Sequence, residues 1–414
     1  MGGVKRRTAF FDHVDERFTR YGEHRSRSRR PSGPRSFSTS KFSLEWESRM
    51  EGSKTSPLNP QSKLTCLVTG GAGYIGGHTV LALLDAGHQV IVLDDLSTGF
   101  RWSVPDPARL ILGDAGDLDL VCRVVRTNKV TSILHFAAKT VVPDSFRDPL
   151  GYYLTNAVKT QTLLAAAVSE NVRNFIFSST AAVYESSESL VSEDQKADPQ
   201  SPYGRSKYMA ECMIKDVGAA YNMRYGILRY FNVAGADPKG LNGQSTKTAT
   251  HLIKVALETA LGKRPCMEIF GNDYPTPDGF AVRDYIHVAD LANAHVLALS
   301  RLQGGAESFT VNCGYSRGYS VREVVDVVKA VTEIDFEVRL APRRAGDLAS
   351  VVANSDRLRS FGWLPRYDEL STIVRHAYQW ELELARASRL PDSDSVNTPD
   401  ATDRPLGGAY NRKM

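Results

Sequence analysis

Residues Leu64-Thr65-Cys66-Leu67-Val68-Thr69-Gly70-Gly71-Ala72-Gly73-Tyr74-Ile75-Gly76 give the clearest indication of the fold. Their apolar first half predicts a buried β-strand at 64–69, and residues 74–86 predict a helix that Gly87 closes. The glycines between them follow a G-x-x-G-x-x-G spacing, so the chain can turn tightly and its backbone can approach a pyrophosphate closely. The last glycine lets the helix pack on the strand. The stretch therefore predicts a dinucleotide-binding turn.

Strand and helix patterns continue to alternate after this turn. Further strands are predicted at 89–93, 110–113, 132–136, 174–178 and 224–228, with helices between them. This alternation predicts a parallel sheet covered on both faces, so the fold class is α/β with a Rossmann-type doubly wound sheet. After Asn232 the alternation lapses into loops rich in Gly, Pro and Asn, which predicts a smaller C-terminal substrate-binding lobe.

Four segments are expected along the chain. Residues 1–63 are a basic leader rich in Ser and Arg that has little to bury and is expected to be disordered. Residues 64–232 form the dinucleotide-binding domain, to which later segments return, and residues 233–386 form most of the smaller lobe. Residues 387–414 are polar and are expected to be a flexible tail.

An acidic residue closes the second predicted strand. Asp94 follows Gly76 by about 20 residues, where a carboxylate can accept hydrogen bonds from both adenosine ribose hydroxyls and would repel a 2′-phosphate. The sequence therefore favours NAD over NADP as the cofactor. Asp114, after the third strand, is placed to hold the adenine amine, and a surface turn acid is an equally open interpretation. The small residues Ala137 and Ala138 end another strand and would admit the cofactor.

A second chemical pattern lies in Ser201-Pro202-Tyr203-Gly204-Arg205-Ser206-Lys207. Tyr203 and Lys207 are four residues apart and project from one helix face, so an ammonium can favour the phenolate and make the tyrosine a base near neutral pH. Seventeen tyrosines would produce about one such pair by chance, so the surrounding sequence must show whether this pair has a function. Thr180 follows a predicted buried strand at the sheet edge where such folds bind ligands, and its hydroxyl can bond the same substrate oxygen. His135 is then expected in a packed, hydrogen-bonded core role.

Composition excludes several other classes of protein. The chain of 414 residues has a net charge of +4, and residues 1–63 hold 14 Lys and Arg against 7 Asp and Glu, so the basic excess belongs to the leader. We expect neither a nucleic-acid partner nor a membrane span, because no basic aromatic strip and no long apolar run occur. The five cysteines are odd in number and lack Cys-x-x-Cys spacing, which fits a cytoplasmic location, and the histidines show no metal-binding spacing.

With both patterns in place, the chain resembles the extended short-chain dehydrogenase/reductase superfamily, and within it the UDP-glucose 4-epimerase (UDP-galactose 4-epimerase) family. The likeness spans roughly residues 64–380. Beyond the two stretches already quoted, it rests on Phe177-Ser178-Ser179-Thr180-Ala181-Ala182-Val183-Tyr184, on Leu228-Arg229-Tyr230-Phe231-Asn232 and on residues 269–276, 282–288 and 341–347.

The resemblance implies epimerisation at C4 of a UDP-hexose, as in galactose metabolism, with a retained NAD. Tyr203 would take the proton of the sugar 4-hydroxyl while C4 gives up a hydride, and a transient 4-keto sugar would turn over and be reduced on its other face. Lys207 would lower the pKa of Tyr203 and bond the nicotinamide ribose, and Thr180 would bridge to the sugar oxygen.

The resemblance also implies the binding residues. Those expected to hold the cofactor are Gly70, Gly73, Tyr74, Ile75, Gly76, Asp94, Asp95, Leu96, Ser97, Thr98, Gly99, Asp114, Ala115, Phe136, Ala137, Ala138, Lys139, Asn156, Thr180, Tyr203, Lys207 and Phe231. Those expected to hold the UDP-sugar are Thr180, Tyr203, Asn232, Leu252, Phe270, Arg283, Arg344, Asp347 and Val351. Arg283 and Arg344 are the expected diphosphate ligands, because a guanidinium fork matches two oxygens.

Several positions depart from the family pattern, among them Lys139-Thr140, where some relatives place the lysine one position later. Thr180 stands where many relatives have Ser, Glu185 stands where Gly is usual, and Asp95 adds a charge beside Asp94. A family homodimer would form through segments equivalent to 149–169 and 202–219. Rival interpretations are a UDP-xylose/UDP-arabinose or UDP-N-acetylglucosamine 4-epimerase, the latter because the modest volume of Val351 would accept an N-acetyl group, and a non-catalytic NAD-binding scaffold.

Overall fold

A computed structural model describes residues 63–246, 250–344 and 346–387, so the leader, except for Lys63, and the tail from residue 388 lie outside the described residues. The strands are β1 Thr65–Thr69, β2 Gln89–Asp94, β3 Arg109–Leu112, β4 Ser132–His135, β5 Asn174–Thr180, β6 Arg224–Tyr230, β7 Asn232–Ala234, β8 Met267–Phe270, β9 Val282–His287, β10 Phe309–Cys313, β11 Gly318–Ser320, β12 Val338–Ala341 and β13 Ser350–Val351.

The helices alternate with these strands through the first half of the described chain. They are α1 Tyr74–Asp85, α2 Leu118–Asn128, α3 Val142–Arg147, α4 Pro149–Tyr153, α5 Lys159–Ser169, α6 Pro202–Tyr221, α7 Leu252–Ala260, α8 Val288–Gln303, α9 Val321–Thr332, α10 Asp356–Ser360 and α11 Leu370–Ala387. A π-helical turn, Leu154–Val158, joins α4 to α5.

The central sheet has seven strands in the order β10-β6-β5-β4-β1-β2-β3, and all neighbours are parallel. The chain builds outward from β1 to β3 on one side and from β4 to β6 on the other, which confirms the predicted doubly wound α/β fold. Strand β10 adds a seventh strand beside β6. The sequence pattern predicts no strand there, although later segments are expected to return to this domain.

Residues of the inner strands alternate between two cores, one on each face of the sheet. Val68 and Ile176 belong to one buried cluster, and Leu67, Phe175 and Phe177 belong to the other. All seven residues of β5 are buried, as expected for a strand covered on both faces of a parallel sheet. Because helices cover both faces of the sheet, polar side chains gather at its carboxyl edge.

Strands β5 and β6 are both longer than predicted. Ser179 and Thr180 pair with Arg229 and Tyr230, so each strand extends two residues beyond its predicted end. The polar side chains of these added residues are hydrogen-bonded in the interior, and the backbone ladder between the two strands continues to the sheet edge. The catalytic candidate Thr180 consequently lies at the last position of a rigid strand.

Two smaller sheets lie in the second half of the described chain. Strands β7, β9, β11 and β13 form one, and β8 pairs with β12 in the other. The division into lobes at residue 232 stays a prediction. None of the helices in residues 63–387 that the structure describes is long and apolar enough to cross a membrane. The cytoplasmic location also stays a prediction.

Candidate active site

A cavity of about 1160 Å³ opens at the carboxyl edge of the central sheet. Residues that end β2, β4, β5 and β6 line it, together with the turn before α1 and the start of α6. Pockets for single small molecules are usually roughly 300–1,000 Å³. This cavity is therefore large enough for more than one ligand.

Most of the residues predicted for the site line this one cavity. They are Gly70, Gly73, Tyr74, Ile75, Gly76, Asp94, Asp95, Ser97, Thr98, Gly99, Asp114, Ala115, Phe136, Ala137, Ala138, Lys139, Thr180, Tyr203, Lys207, Phe231, Asn232, Arg283, Arg344, Asp347 and Val351. Leu96, Asn156, Leu252 and Phe270 do not line it. The structure thus brings together residues that are up to 281 positions apart, Gly70 and Val351 being the extremes.

The glycine turn is shaped by backbone contacts that a side chain would block. Gly70 has φ +71°, and a Cβ atom there would lie 2.5 Å from the amide nitrogen of Ala137 on the neighbouring chain segment. A Cβ atom on Gly76 would overlap the carbonyl oxygen of Gly70. The first and last glycines are therefore needed for close packing at the amino end of α1, where backbone N–H groups and the helix dipole favour an anion.

Asp94 is fixed at the end of β2. Its Oδ2 accepts a hydrogen bond from the amide of Ala72 and its Oδ1 accepts one from the amide of Leu96, both at 2.9 Å. Burial raises the pKa of Asp94, and the two amide bonds act in the opposite direction. Each oxygen keeps a free lone pair, so the carboxylate can still accept two ribose hydroxyls. Leu96 serves this loop through its backbone and takes a left-handed conformation with φ 57°.

Asp114 is paired with a lysine that the sequence analysis did not consider. Lys159 donates a hydrogen bond to Asp114 Oδ2 at 2.5 Å, and the amide of Gly116 donates to Oδ1 at 2.8 Å. Burial alone would raise the pKa of Asp114, but these partners outweigh it and the pKa is lowered. The residue lines the cavity as an ionised carboxylate, which leaves its contact with adenine as a prediction.

Helix α6 places Tyr203 and Lys207 at the cavity. Ser201 caps the helix by accepting a hydrogen bond from the amide of Gly204 at 3.1 Å, and Pro202 occupies the first turn, so the helix begins directly before the tyrosine. Tyr203 is 8% exposed and Lys207 is 3% exposed. Both side chains reach the cavity from one face of the helix.

Lys207 is hydrogen-bonded to the backbone of β5. Its Nζ donates to the carbonyl oxygen of Ser178 at 2.9 Å and lies 4.8 Å from the centre of the Phe177 ring, and no hydrogen bond joins it to Tyr203 among the described contacts. Burial lowers the pKa of Lys207 to about 7, and the charge of Glu211 acts in the opposite direction. The buried amine takes the nearest strong acceptor, because an unpaired ammonium is costly to bury.

Thr180 and Tyr203, both predicted to be catalytic, face each other at one end of the cavity, the proposed catalytic end. Burial raises the pKa of Tyr203, and a hydrogen bond with the Thr180 side chain acts in the opposite direction. The Thr180 Oγ1 also accepts a hydrogen bond from the amide of Ala182 at 3.1 Å. A positive charge close to Tyr203 must therefore outweigh its burial before the phenol can act as a base.

His135 is the buried, hydrogen-bonded residue that the sequence predicts. Its two ring nitrogens lie 2.6 Å from the Thr69 hydroxyl and 2.8 Å from the Thr160 hydroxyl. Burial lowers the pKa of His135 to about 3, and the positive charge of Lys207 acts in the same direction. The ring is neutral at neutral pH and supports the end of β4.

Asn156 acts through the backbone of Lys139. The amide of Lys139 donates to Asn156 Oδ1 at 2.8 Å, and Asn156 Nδ2 donates back to the Lys139 carbonyl at 2.9 Å and to the Ser206 hydroxyl at 3.0 Å. The Lys139 side chain pairs with Asp148 at 2.7 Å. Asn156 therefore ties a cavity-lining loop to α6 without lining the cavity itself.

The second-half segments supply the far wall of the cavity. The Arg344 guanidinium lies 3.7 Å from the centre of the Phe270 ring, which places the aromatic behind the arginine. Leu252 begins α7 and lines a small neighbouring cavity of about 20 Å³ that shares Asn232 with the main one. Val351 is buried at the cavity wall.

Several cavity or supporting residues were missed by the sequence analysis. Tyr230 lines the cavity, and its hydroxyl is hydrogen-bonded to the Ser178 hydroxyl. Tyr184 also lines it and is bonded to Arg229. These residues lie in stretches quoted for the family likeness, but no chemical spacing distinguishes them. Glu185 is absent from the described residues with positive φ, so the missing glycine imposes no backbone strain there.

Among the described residues, no group of three or more His, Cys, Asp or Glu side chains is arranged to hold a metal ion. The glycine turn, the acid after β2 and the Tyr-Lys helix beside a strand-end hydroxyl together define an enzyme of the extended short-chain dehydrogenase/reductase type. This class agrees with comparisons to known proteins.

Residues 66–314 match the NAD dependent epimerase/dehydratase family, and the chain belongs to this family. A UDP-glucose 4-epimerase from Azospirillum brasilense is 51% identical over 78% of this chain and 93% of that protein. The crystal structure of UDP-glucose 4-epimerase from Brucella ovis in complex with NAD is 39% identical, with TM-score 0.74 over 76% of this chain and 98% of that one. The UDP-Glc/GlcNAc 4-epimerase of Campylobacter jejuni is 42% identical, with TM-score 0.68 over 77% and 99%.

These similarities confirm the predicted family, and the family description confirms NAD as the cofactor. The residues of the turn fit that cofactor. At Gly70 and Gly76 a Cβ atom would clash, so the backbone carries no side chain there. The carboxylate oxygens of Asp94 can each accept a further hydrogen bond.

We predict that Gly70→Ala will weaken NAD binding by about tenfold or more, because the added Cβ must displace the backbone of Ala137 and each 1.4 kcal/mol lost is a factor of about ten. NAD binding is measured by calorimetry on apoprotein. Gly87→Ala is the matched control, since Gly87 has φ +81° but nothing within 4 Å of its added Cβ. Equal losses of affinity in the two variants would contradict the steric explanation.

Proposed function

We propose that this chain catalyses NAD-dependent epimerisation at C4 of a UDP-hexose, interconverting UDP-glucose and UDP-galactose through a transient 4-keto sugar. The observation that carries the proposal is the convergence of Tyr203, Lys207 and Thr180 on one wall of the cavity that the glycine turn also lines. The name of the relative from Azospirillum brasilense supports the choice of substrate.

The cofactor end would be held by the chain's own backbone and one carboxylate. The amino end of α1 and the bare backbone at Gly70 and Gly76 would receive the pyrophosphate, and Asp94 would accept the ribose hydroxyls. NAD, when bound, supplies the group that accepts and returns the hydride. The reaction has no net redox change, so a retained cofactor suffices.

Tyr203 would take the proton from the sugar 4-hydroxyl and later return it. Its buried phenol resists ionisation, so a nearby positive charge is required. With a pKa of about 7, Lys207 is partly charged at neutral pH, and its hydrogen bond to Ser178 holds that charge at the catalytic end of the cavity. Thr180 would hydrogen-bond the same sugar oxygen.

The far wall would hold the nucleotide diphosphate of the substrate. Arg283 and Arg344 line the cavity there, and a guanidinium can bond two phosphate oxygens at once. Phe270 stacks on Arg344, and Asp347 and Asn232 add polar groups to the cavity lining. This wall would anchor the UDP group while the sugar presents either face to the catalytic wall.

We expect Tyr203→Phe to reduce the rate of conversion of UDP-galactose to UDP-glucose by about 10²–10⁴-fold, because the base is lost while the ring stays packed. The rate is measured by chromatography of the two sugar nucleotides. Tyr225→Phe is the control, since Tyr225 lies at the opposite end of β6 and outside the cavity lining. Full activity of Tyr203→Phe would assign the proton to another group.

Inactivity of the wild-type protein would favour the interpretation as a non-catalytic NAD-binding scaffold. Turnover of UDP-xylose in place of UDP-galactose would favour a UDP-xylose/UDP-arabinose 4-epimerase.

A second substrate is favoured by the size of Val351. This residue is 5% exposed at the cavity wall and packs with Val183, Tyr184 and Phe231, so the wall is formed by a small side chain there. The similar Campylobacter jejuni enzyme is a UDP-Glc/GlcNAc 4-epimerase. We infer that UDP-N-acetylglucosamine is also epimerised.

If that inference holds, Val351→Tyr will reduce turnover of UDP-N-acetylglucosamine by tenfold or more and will keep most of the turnover of UDP-galactose. The larger side chain removes the cavity volume that the N-acetyl group needs, which corresponds to about 1–3 kcal/mol of discrimination between the two sugars. Both rates are measured on the same preparation. Absence of any wild-type activity on the acetylated sugar, beside normal activity on UDP-galactose, would refute the inference.

We also propose that two copies of this protein form a homodimer. Leu150, Leu154 and Val158 are 79%, 53% and 50% exposed at four-residue spacing along one helical segment, and Met209 on the adjoining α6 is 48% exposed. An apolar stripe of this kind favours association of two copies through a small helical bundle.

Leu154→Glu should shift the protein from dimer to monomer in sedimentation velocity, because it places a charge in the centre of the proposed contact. Leu364→Glu is the control, since Leu364 is 82% exposed outside these helices. A wild-type protein that sediments as a monomer would end the proposal.

A further inference from the structure

Strand β5 presents alternate residues to opposite sides at its carboxyl end. Ser178 and Thr180 line the cavity, whereas Ser179 between them does not. The Ser179 hydroxyl instead donates a hydrogen bond to Glu211 Oε1 at 2.5 Å. Glu211 lies on α6 one turn beyond Lys207, so the strand that carries Thr180 is tied to the helix that carries Lys207.

Glu211 is a fully buried carboxylate with a fixed counter-ion. Arg229, on β6, donates from Nε to Glu211 Oε1 at 2.9 Å and from Nη2 to Oε2 at 2.5 Å, which is a two-pronged ion pair. The side chains of Glu211 and Arg229 are 0% and 4% exposed. Such a pair is strongly held because either charge alone would be left uncompensated in the interior.

The ion pair is also connected to Tyr184, another residue that lines the cavity. Arg229 donates from Nη1 to the Tyr184 hydroxyl at 2.8 Å, and Tyr184 donates to Asn312 Oδ1 at 2.8 Å on β10. Tyr184 lines the cavity after the Thr180 strand end. One buried network therefore joins β5, α6, β6, β10 and the loop after β5 around the catalytic end.

We propose that Glu211, held by Arg229, is a positioning residue that fixes Thr180 and the Ser178 carbonyl through Ser179. This inference rests on the proposed epimerisation. Neither charged residue lines the cavity, so both act through the groups that do. The charge of Glu211 also raises the pKa of Lys207 against the effect of burial, in keeping with its place one turn away.

Ser179→Ala tests the tie without exposing a charge, because Arg229 still pairs with Glu211. We expect kcat for UDP-galactose to fall about 10–100-fold while KM changes less than about twofold, since misplacement of the reacting groups affects the transition state more than binding. Backbone hydrogen exchange of the holoenzyme should become faster in the peptide covering residues 178–184. The paired replacement of Glu211→Leu with Arg229→Met should give the same result, because no buried charge is left unpaired.

Ser132→Ala is the matched control. Ser132 is a fully buried serine at the amino end of β4 in the same sheet, hydrogen-bonded to Asn174 at 3.2 Å, and its replacement should leave kcat and the exchange of 178–184 unchanged. Wild-type kcat and exchange in Ser179→Ala would overturn the proposal, as would equal losses in the Ser132 control. If the wild-type protein does not epimerise UDP-galactose, the proposed function fails, and hydrogen exchange alone then decides whether Ser179 and Glu211 fix the strand end.

Discussion

The burial of one amine constrains the whole catalytic end of this protein. Lys207 is 3% exposed, and its ammonium is held by the Ser178 carbonyl, the Phe177 ring and the nearby charge of Glu211. Desolvation brings its pKa down to about 7, so small changes in its partners decide how much of it is charged. The strand end, the helix and the ion pair must therefore keep a fixed geometry for the amine to remain useful.

Local patterns in the sequence predict the parts of the fold that depend on local physics. The glycine turn, the first helix and the six strands β1 to β6 follow from spacing and hydrophobicity, because each is determined by residues within one strand-turn-helix unit. Most of the residues predicted for the site also line the cavity, since parallel strands bring their carboxyl ends to one edge. For these features the sequence and the tertiary structure agree.

Features that depend on residues far apart in the sequence could not be predicted from local patterns. Strand β10 lies beyond the last predicted alternation and reaches the sheet only through pairing with β6. The hydrogen bond from Tyr184 to Asn312 spans 128 residues, and no pattern near either residue indicates it. The partner of Lys207 belongs to the same group, because i, i+4 spacing gives the helix face but not which acceptor across the interface is nearest.

The two ends of the cavity are held by different kinds of interaction, which explains where the chain tolerates departures from its family. At the cofactor end the constraint is backbone shape, and the exposed Asp95 accepts a hydrogen bond from the amide of Ser97 at 2.9 Å, so its charge is satisfied within its own loop. At the proposed catalytic end the constraint is a hydroxyl in a fixed place, and the hydroxyl of Thr180 is held by the hydrogen bond that it accepts from the amide of Ala182. Substitutions are therefore accepted where they preserve a backbone path or a polar atom, whereas the buried charges beneath the site have no such latitude because each depends on its partner.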